Sequence, residues 1–314
     1  MQVSAGTIRA VLERVELGYD WSPADEQREY KLASLFNPID SGFYFFSGAS
    51  DLPSTITNSL VMVKADYAGS ADRGNDFVYL NGTDPQQAYY KVLGELFGRK
   101  SSGEKAASAI IHPQAKLGSN VQVDDFCIIE KDCVIGDNVI IGSHSKIHAG
   151  TTIGENSIIE TMSVIGTQGV AWTWNDDQSL KIVQPQLGGV YIGTNCFLGA
   201  NAILVRGSLN ENTRIGDNTL IAPGCRIGHG TQIGASVHFA NNVVTGGNSK
   251  IGDFSFIGSA AVFRPKVQIH EKTVVGAGSV VVKNTTAGGM TLMGVPAKEM
   301  QTKENPSGMP APKR

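Results

Sequence analysis

An apolar residue recurs at every sixth position through most of the last two-thirds of the chain. The series runs through residues 111–165, 192–204 and 215–281, and Thr245 is its only polar member. A period of six fits neither an α-helix nor an isolated hairpin, because it places one inward side chain on each short flat segment. Stacked coils then bury these side chains against one another. The period therefore predicts a β-solenoid around an apolar column.

The four cysteines keep the same register, each two residues before a periodic apolar residue. They are Cys127, Cys133, Cys196 and Cys225. Free cysteine behaves as a small buried hydrophobe, and the spacing resembles neither a CxxC pair nor a metal framework. We therefore expect buried thiols without disulfides, as in a reducing compartment.

The charge balance and the hydropathy pattern are typical of a cytoplasmic globular protein. The 26 Lys+Arg against 29 Asp+Glu give a formal net charge of -3, whereas nucleic-acid binding favours a basic surplus. The sequence has no apolar run long enough to span a membrane, and its first 19 residues lack a secretory apolar stretch. We expect a cytoplasmic protein with no nucleic-acid partner and no stable membrane insertion.

A change of pattern near residue 108 predicts two domains and a tail. Residues 1–107 form a small α/β domain, in which Asp84 and Pro85 begin a helix as N-cap and first helical residue. Residues 108–300 form the solenoid, and residues 301–314 form a Pro/Lys-rich tail. The first domain either only covers the open strand edges of the first coil or also binds part of a substrate.

Two breaks interrupt the six-residue series, and loops on a rigid scaffold are the usual place of binding and catalytic residues. The shorter break spans residues 207–213. The longer one, residues 167–190, carries Trp172 and Trp174. These tryptophans either clamp a ligand or pack against a neighbouring subunit.

One of the six histidines has a distinct place in the register. Only His229 lies two residues after its periodic residue, Ile227, and Gly247 follows eighteen residues later. With three segments per coil, the Gly247 backbone should lie directly above His229, about 4.8 Å away. This juxtaposition predicts a general base beside an amide donor. The alternative is a structural histidine in a solenoid turn.

Six motifs carry a resemblance that covers nearly the whole chain. They are residues 42–46, 84–89, 164–169, 185–188, 206–209 and 225–229. These motifs resemble the hexapeptide-repeat acyltransferases, most closely the UDP-3-O-acylglucosamine N-acyltransferase family of lipid A synthesis. The resemblance implies a left-handed parallel β-helix, a nucleotide-binding N-terminal domain and a homotrimer with active sites between subunits. It also implies that His229 is the general base and that Gly247 binds the oxyanion.

We expect substrate contacts from Phe46, Trp172, Gln186 and Arg206. Phe46 matches the aromatic residue of the family's uracil-binding group, and Gln186 and Arg206 lie in matched motifs. Trp172 lies in the longer break and, in a trimer like that of the relatives, could reach the His229 of another subunit.

The chain departs from the lipid A pattern at four positions. Val205 stands where the family has an acidic residue before Arg-Gly, and Lys266 replaces a second histidine. Ala49 and Leu52 stand where the uracil-binding group has asparagine and tyrosine. These departures concern the recognition of the sugar and the base.

The end of the solenoid indicates which carrier delivers the acyl group. Lipid A enzymes of this type end in helices that engage acyl carrier protein, whereas residues 294–298 and the tail resemble coenzyme A-dependent hexapeptide transferases. We expect coenzyme A as the carrier, acyl carrier protein being the alternative, and no metal. Lys298 and Lys266 would bind the coenzyme A phosphates, unless Lys298 is only a solvated surface lysine.

The pattern and the resemblance together predict an N-acyltransferase. It would move an acyl group from acyl-coenzyme A to the amino group of a nucleotide-linked amino sugar, for a surface polysaccharide or O-antigen. The alternatives are the lipid A enzyme itself, a carbonic anhydrase on the same solenoid and a non-catalytic scaffold. A zinc site would need three converging histidines, and the spacing of His144 and His148 is out of phase with the coil.

Overall fold

The computed structural model describes residues 1–48, 51–69 and 73–302. The chain divides into two compact units, residues 1–100 and 101–314. Ala49 lies outside the described residues, as does the tail from residue 303 onwards.

The first unit is a six-stranded mixed sheet with two helices. Its elements are β1 (Gln2–Ser4), α1 (Ala5–Arg14), β2 (Tyr19–Trp21), β3 (Glu29–Leu32), β4 (Gly42–Phe45), β5 (Leu60–Lys64), β6 (Asp76–Leu80) and α2 (Pro85–Phe97). The strand order is β1-β3-β4-β5-β6-β2, with β3 to β6 parallel and β1 and β2 antiparallel at the edges.

Each helix of this unit begins at a polar N-cap. The side chain of Ser4 accepts a hydrogen bond from the Thr7 N–H at the start of α1, and that of Asp84 accepts from Gln86 and Gln87 at the start of α2. The helix predicted after Asp84 is thus present. Apolar residues of both helices pack on one face of the sheet, among them Leu12 and Val92. The α/β character of this unit follows from this packing.

The second unit contains three long sheets, which we name I, II and III, and their strands are parallel except for the last strand of sheet III. Sheet I comprises Ile110–Ile111, Ile128–Ile129, Lys146–Ile147, Val164–Thr167, Ile203–Val205, Arg226–Ile227, Val244–Thr245, Val262–Phe263 and Val280–Val281. Sheet II comprises Lys116–Leu117, Val134–Ile135, Thr151–Ile153, Val190–Ile192, Thr213–Ile215, Gln232–Ile233, Lys250–Ile251 and Gln268–Ile269. Sheet III comprises Gln122–Val123, Ile140–Ile141, Ile158–Ile159, Phe197–Leu198, Leu220–Ile221, His238–Phe239, Phe256–Ile257, Val274–Val275, Met290–Gly294 and Ala297–Gln301.

Strand pairing between coils confirms the predicted solenoid. Ile129 pairs with Ile147, and Ile227 pairs with Thr245, eighteen residues apart in each case. Every periodic residue from Val123 to Val281 is at most 4% exposed. The fold is mainly β, a parallel β-helix whose interior is the predicted apolar column.

The cysteine thiols lie inside this column. All four are buried and free, and burial raises the pKa of each thiol. Cys127 Sγ lies 3.1 Å from the carbonyl oxygen of Gly142, and Cys225 Sγ lies 3.2 Å from that of Ala240. Because Sγ can donate to these carbonyls, the thiols fit the small inward position between two coils.

Additional backbone extends the solenoid at both ends. The polar stretch after residue 100 is hydrogen-bonded to the first coil. Ser101 Oγ donates to the Asn120 carbonyl at 2.6 Å, and Lys105 forms an isolated β-bridge with Val123. At the other end, Met290–Gly294 and Ala297–Gln301 form an antiparallel hairpin on sheet III. In the described part of the chain, neither helix has the length and apolar character needed to cross a bilayer.

We predict that the inward and outward residues of a single strand differ sharply in their effect on stability. Ile221 is fully buried, whereas its neighbour Leu220 is 45% exposed. Ile221→Ala should lower the free energy of unfolding by about 2–5 kcal/mol because it leaves a cavity. Leu220→Ala should change it by less than about 0.5 kcal/mol. Urea unfolding followed by circular dichroism measures both, and equal losses would contradict the column.

Candidate active site

The turns that join sheet I to sheet II form one edge of the solenoid, which we name the I/II edge. Both breaks in the repeat open there, because each connects a strand of sheet I to the next strand of sheet II. Residues 167–190 separate Val164–Thr167 from Val190–Ile192, and residues 205–213 separate Ile203–Val205 from Thr213–Ile215. Both breaks thus lie on a single edge of the solenoid.

His229 lies on the I/II edge, between the strands Arg226–Ile227 and Gln232–Ile233. Its carbonyl accepts a hydrogen bond of 2.7 Å from the Asn248 N–H in the following coil. The preceding residue is held from inside the column, since the Gly228 N–H donates to Oγ1 of Thr245 at 3.0 Å. The polar member of the periodic series therefore supports the turn that carries His229.

Ser208, in the shorter break, contacts the imidazole. Its Oγ lies 3.0 Å from Nδ1 of His229. The backbone N–H of Ser208 donates to one carboxylate oxygen of Glu211 at 2.8 Å, and the Leu209 N–H donates to the other at 3.1 Å. The pKa of Glu211 is lowered by hydrogen bonds from backbone N–H groups, first that of Glu211 itself and then those of Leu209 and Ser208. Burial opposes this shift. The carboxylate thus closes the loop that presents Ser208.

Gly247 lies against the other nitrogen of the ring. A Cβ atom at this position would overlap Nε2 of His229. Within residues 1–48, 51–69 and 73–302, the Gly247 N–H has no hydrogen-bond partner. The site thus pairs an imidazole Nε2 with an uncommitted amide donor, without a side chain between them.

Arg206 bridges two turns of the I/II edge. Its Nε donates to the Gly188 carbonyl at 2.8 Å, and one terminal nitrogen donates to the Ala149 carbonyl at 2.5 Å. These bonds fix the guanidinium and keep a positive charge one coil before His229.

A charged cluster that sequence reasoning missed lies further along the same edge. Glu130 contacts Lys146 Nζ at 3.0 Å and His148 Nδ1 at 3.4 Å. Burial is the main effect that lowers the pKa of His148. Glu130 and His148 are one coil apart, so the eighteen-residue spacing could have revealed this pair.

Gln186 is the most buried of the predicted substrate-binding residues, at 2% exposed. Its Oε1 accepts a hydrogen bond of 2.6 Å from the Gly169 N–H, which fixes the orientation of the amide. Its Nε2 is buried and has no partner among the described residues. A buried amide donor without an acceptor is costly, so this nitrogen is an unsatisfied polar group within the longer break.

The tryptophans of the longer break lie on a hairpin, Ala171–Trp174 paired with Lys181–Gln184. Their rings meet edge to face, with centroids 5.3 Å apart, and each is a little under half exposed. Lys181 Nζ lies 4.2 Å from the centre of the Trp172 ring. The hairpin therefore orders both rings while leaving them accessible.

The remaining predicted residues are dispersed. Phe46 belongs to the first unit, where its ring meets that of Tyr67 with centroids 5.9 Å apart, and Leu52 is buried in the same apolar cluster. Lys266 is exposed on the I/II edge, and its N–H donates to the Gly247 carbonyl at 2.9 Å. Lys298 is exposed on the last strand of sheet III. Lys266 thus lies on the I/II edge with His229, whereas Lys298 does not.

In the described ranges, no three His, Cys, Asp or Glu side chains lie close enough together to hold a metal ion.

The partly buried imidazole of His148 should make stability depend on pH. Its folded pKa is lowered from an unfolded value of about 6.5, so the unfolded chain binds more protons between the two values. The free energy of unfolding should therefore rise as the pH increases through this window and level off above about 6.5. His148→Gln should flatten the rise, measured by urea unfolding between pH 5 and 7.5. Parallel curves for the two proteins would refute this.

The repeats match a described protein family. The model "Bacterial transferase hexapeptide (six repeats)" matches residues 114–149, 132–167 and 212–247. "Hexapeptide repeat of succinyl-transferase" matches residues 189–207. No curated protein matches the chain.

Solved structures share the same fold. UDP-N-acetylglucosamine acyltransferase from Campylobacter jejuni is 27% identical with a TM-score of 0.54, over 63% of this chain and 74% of that one. LpxA from Acinetobacter baumannii is 26% identical with a TM-score of 0.56, over 62% and 73%. The matched repeats and these solved structures show that the chain shares its repeat pattern and its fold with hexapeptide-repeat transferases.

Proposed function

We propose that the protein is an acyltransferase that moves an acyl group from coenzyme A to the amino group of a nucleotide-linked amino sugar. The observation that carries this proposal is the pairing of His229 Nε2 with the uncommitted N–H of Gly247 on the edge where both breaks open. Acyl transfer needs a base and an oxyanion donor that both reach the reacting carbonyl group.

The reaction follows from these two groups. The acceptor nitrogen attacks the thioester carbonyl carbon and forms the C–N bond, while His229 Nε2 takes the proton that the nitrogen loses. The carbonyl oxygen becomes negatively charged and accepts a hydrogen bond from the Gly247 N–H. The C–S bond then breaks, and the imidazolium returns the proton to the leaving thiolate. The products are an amide and free coenzyme A.

The nucleotide sugar is supported by the similar solved structures, which act on UDP-N-acetylglucosamine by name. In this proposal Nε2 of Gln186 and the charge of Arg206 contact the sugar or its diphosphate. Phe46 contributes to base binding, and Trp172 lies over the acceptor site of a neighbouring subunit in a homotrimer. The product would serve a surface polysaccharide or O-antigen.

The donor is the second part of the proposal. Lys266 supplies a cation next to Gly247 for a coenzyme A phosphate. Lys298, on sheet III, would reach the carrier only in an assembly that brings this strand to the edge.

The same solved structures favour one further candidate, acyl transfer to UDP-N-acetylglucosamine itself. The amino group of that sugar is already acetylated, so the acceptor would be a hydroxyl. Thiol release from short acyl-coenzyme A and from long acyl-carrier-protein donors separates the candidates. Each donor is paired with UDP-, dTDP- and GDP-linked amino sugars or with UDP-N-acetylglucosamine. A non-catalytic scaffold would release no thiol with any pair.

We predict that removal of the base abolishes most of the turnover. His229→Gln should lower kcat by about 10²–10⁴-fold, because no other group takes the proton. The matched control is His238→Gln, since this imidazole stacks on Phe256 on sheet III, with centroids 5.1 Å apart. If His229→Gln kept kcat within a few-fold of wild type, another residue would be the base.

We also predict that Gly247 does not tolerate a side chain. Gly247→Ala places a methyl group on Nε2 of His229 and should lower kcat by about a hundredfold or more by displacing the ring from the amide donor. The control is Gly94→Ala on α2, where no atom lies within 4 Å of the added carbon. Unchanged turnover of Gly247→Ala would remove this glycine from the site.

A further inference from the structure

We infer that Ser208 is a positioning residue, which holds the His229 imidazole in the tautomer that leaves Nε2 free to accept a proton. The inference rests on the proposed function only for the direction of proton transfer. The inference concerns the hydroxyl of Ser208, whose position in the shorter break is not predicted by the six-residue repeat. It adds a positioning group to the site of the proposed function.

The geometry assigns different tasks to the two ring nitrogens. Nδ1 lies 3.0 Å from Ser208 Oγ, whereas Nε2 lies against Gly247. A neutral imidazole carries one proton, so a base acting at Nε2 must carry its proton on Nδ1 and donate it to Ser208 Oγ. Ser208 accepts in this bond, and its own hydroxyl proton then points elsewhere.

Ser208 is suited to this task because its backbone is fixed on both sides. Its N–H donates to Glu211 at 2.8 Å, and its carbonyl accepts from the Leu187 N–H at 2.8 Å. The second oxygen of Glu211 accepts from Leu209, so the carboxylate holds the loop and does not reach the imidazole. The two breaks of the repeat thus cooperate, since residue 187 belongs to the longer break and residue 208 to the shorter one.

A hydroxyl partner affects the base differently from a carboxylate. A carboxylate next to Nδ1 would stabilise the imidazolium, whereas a neutral hydroxyl orients the ring without adding a charge. Val205 supplies no charge at the position before Arg206. The charged groups in the turns stacked around His229 are Arg206, Glu211, Arg264 and Lys266, with Arg226 on the preceding strand.

This neutral partner also bears on the acceptor. An amine reacts through its unprotonated form and needs a base only for the proton released on attack. A sugar hydroxyl is a weaker nucleophile and depends more on the base that takes its proton. A neutral partner at Nδ1 is therefore sufficient for an amine acceptor.

Nitrogen NMR of the full-length protein tests the tautomer without any substrate. Histidine is labelled with ¹⁵N, and His229→Gln identifies the His229 signals by their loss. Wild type should show a protonated Nδ1 and an unprotonated Nε2 above the imidazole pKa. Ser208→Ala should shift the population towards protonated Nε2. Protonated Nε2 in the wild type, or an unchanged population in Ser208→Ala, would overturn the inference.

Kinetics then separate positioning from a structural role. Ser208→Ala should lower kcat by about 10–100-fold with little change in KM, and Ser208→Thr, which keeps a hydroxyl, should restore most of it. Ser208→Asp should move the acidic limb of the kcat/KM profile upwards by about one pH unit, because the carboxylate raises the imidazole pKa. A limb that stays in place in Ser208→Asp would count against the inference.

The two readouts distinguish this inference from the proposed function. If the tautomer depends on Ser208 but no donor and acceptor pair releases thiol, the acyltransferase proposal fails while the positioning role stands. If thiol is released and Ser208→Ala changes neither the tautomer population nor kcat, the positioning role fails and the acyltransferase proposal stands. Circular dichroism of each variant confirms that it is folded before either comparison.

Discussion

The inward apolar column is the constraint on which the rest of the structure depends. Each coil buries one periodic residue per sheet, and the pairing of Ile129 with Ile147 and of Ile227 with Thr245 repeats at eighteen residues. Because a shift by one residue would turn every inward side chain outwards, the column fixes the register of the whole solenoid. It thereby fixes which residues of neighbouring coils meet at the edges. The contact between His229 and Gly247 is a consequence of this register, produced by the same spacing that buries the aliphatic residues.

The column is polar at one periodic position, directly beneath the site. Thr245 is 4% exposed, and its Oγ1 accepts the N–H of Gly228 and lies 3.4 Å from Oγ1 of Thr231. An aliphatic residue there would leave the Gly228 N–H with one acceptor, the carbonyl of residue 245 at 3.1 Å. A buried hydroxyl is tolerated only where it is bonded, and here its bond holds the residue before His229. The polar departure from the periodic pattern therefore gives the turn that carries His229 a second acceptor.

The sequence predicts those contacts that follow the repeat. The burial of the cysteines and the position of Gly247 against His229 depend only on counting residues along regular coils. The contact between Ser208 and His229 could not be predicted in this way, because the shorter break lengthens its coil, in which Ile203 pairs with Arg226 instead of with a residue eighteen positions on. The residues of a break are placed by hydrogen bonds such as those of Glu211, and no periodic signal encodes them. The opposite holds for Phe46 and Lys298. Sequence motifs identified both residues, but the motifs do not indicate where either residue lies relative to the I/II edge.

The distribution of regular and irregular backbone explains why the site lies on one edge. Regular coils satisfy their backbone N–H groups by pairing with the next coil, so a free donor arises only where the chain turns. At Gly247 the turn leaves its N–H without a partner among the described residues, while its carbonyl still accepts from Lys266. The backbone is therefore anchored on one side and open on the other. The breaks add the remaining groups to the same edge, with Gln186 from one and Ser208 from the other. The rigid coils supply the base and the amide donor, and the loops supply the groups that orient the base and contact a ligand. A substrate that differs in sugar or base could thus be accommodated by changes in the breaks, without disturbing the column that holds His229 and Gly247 together.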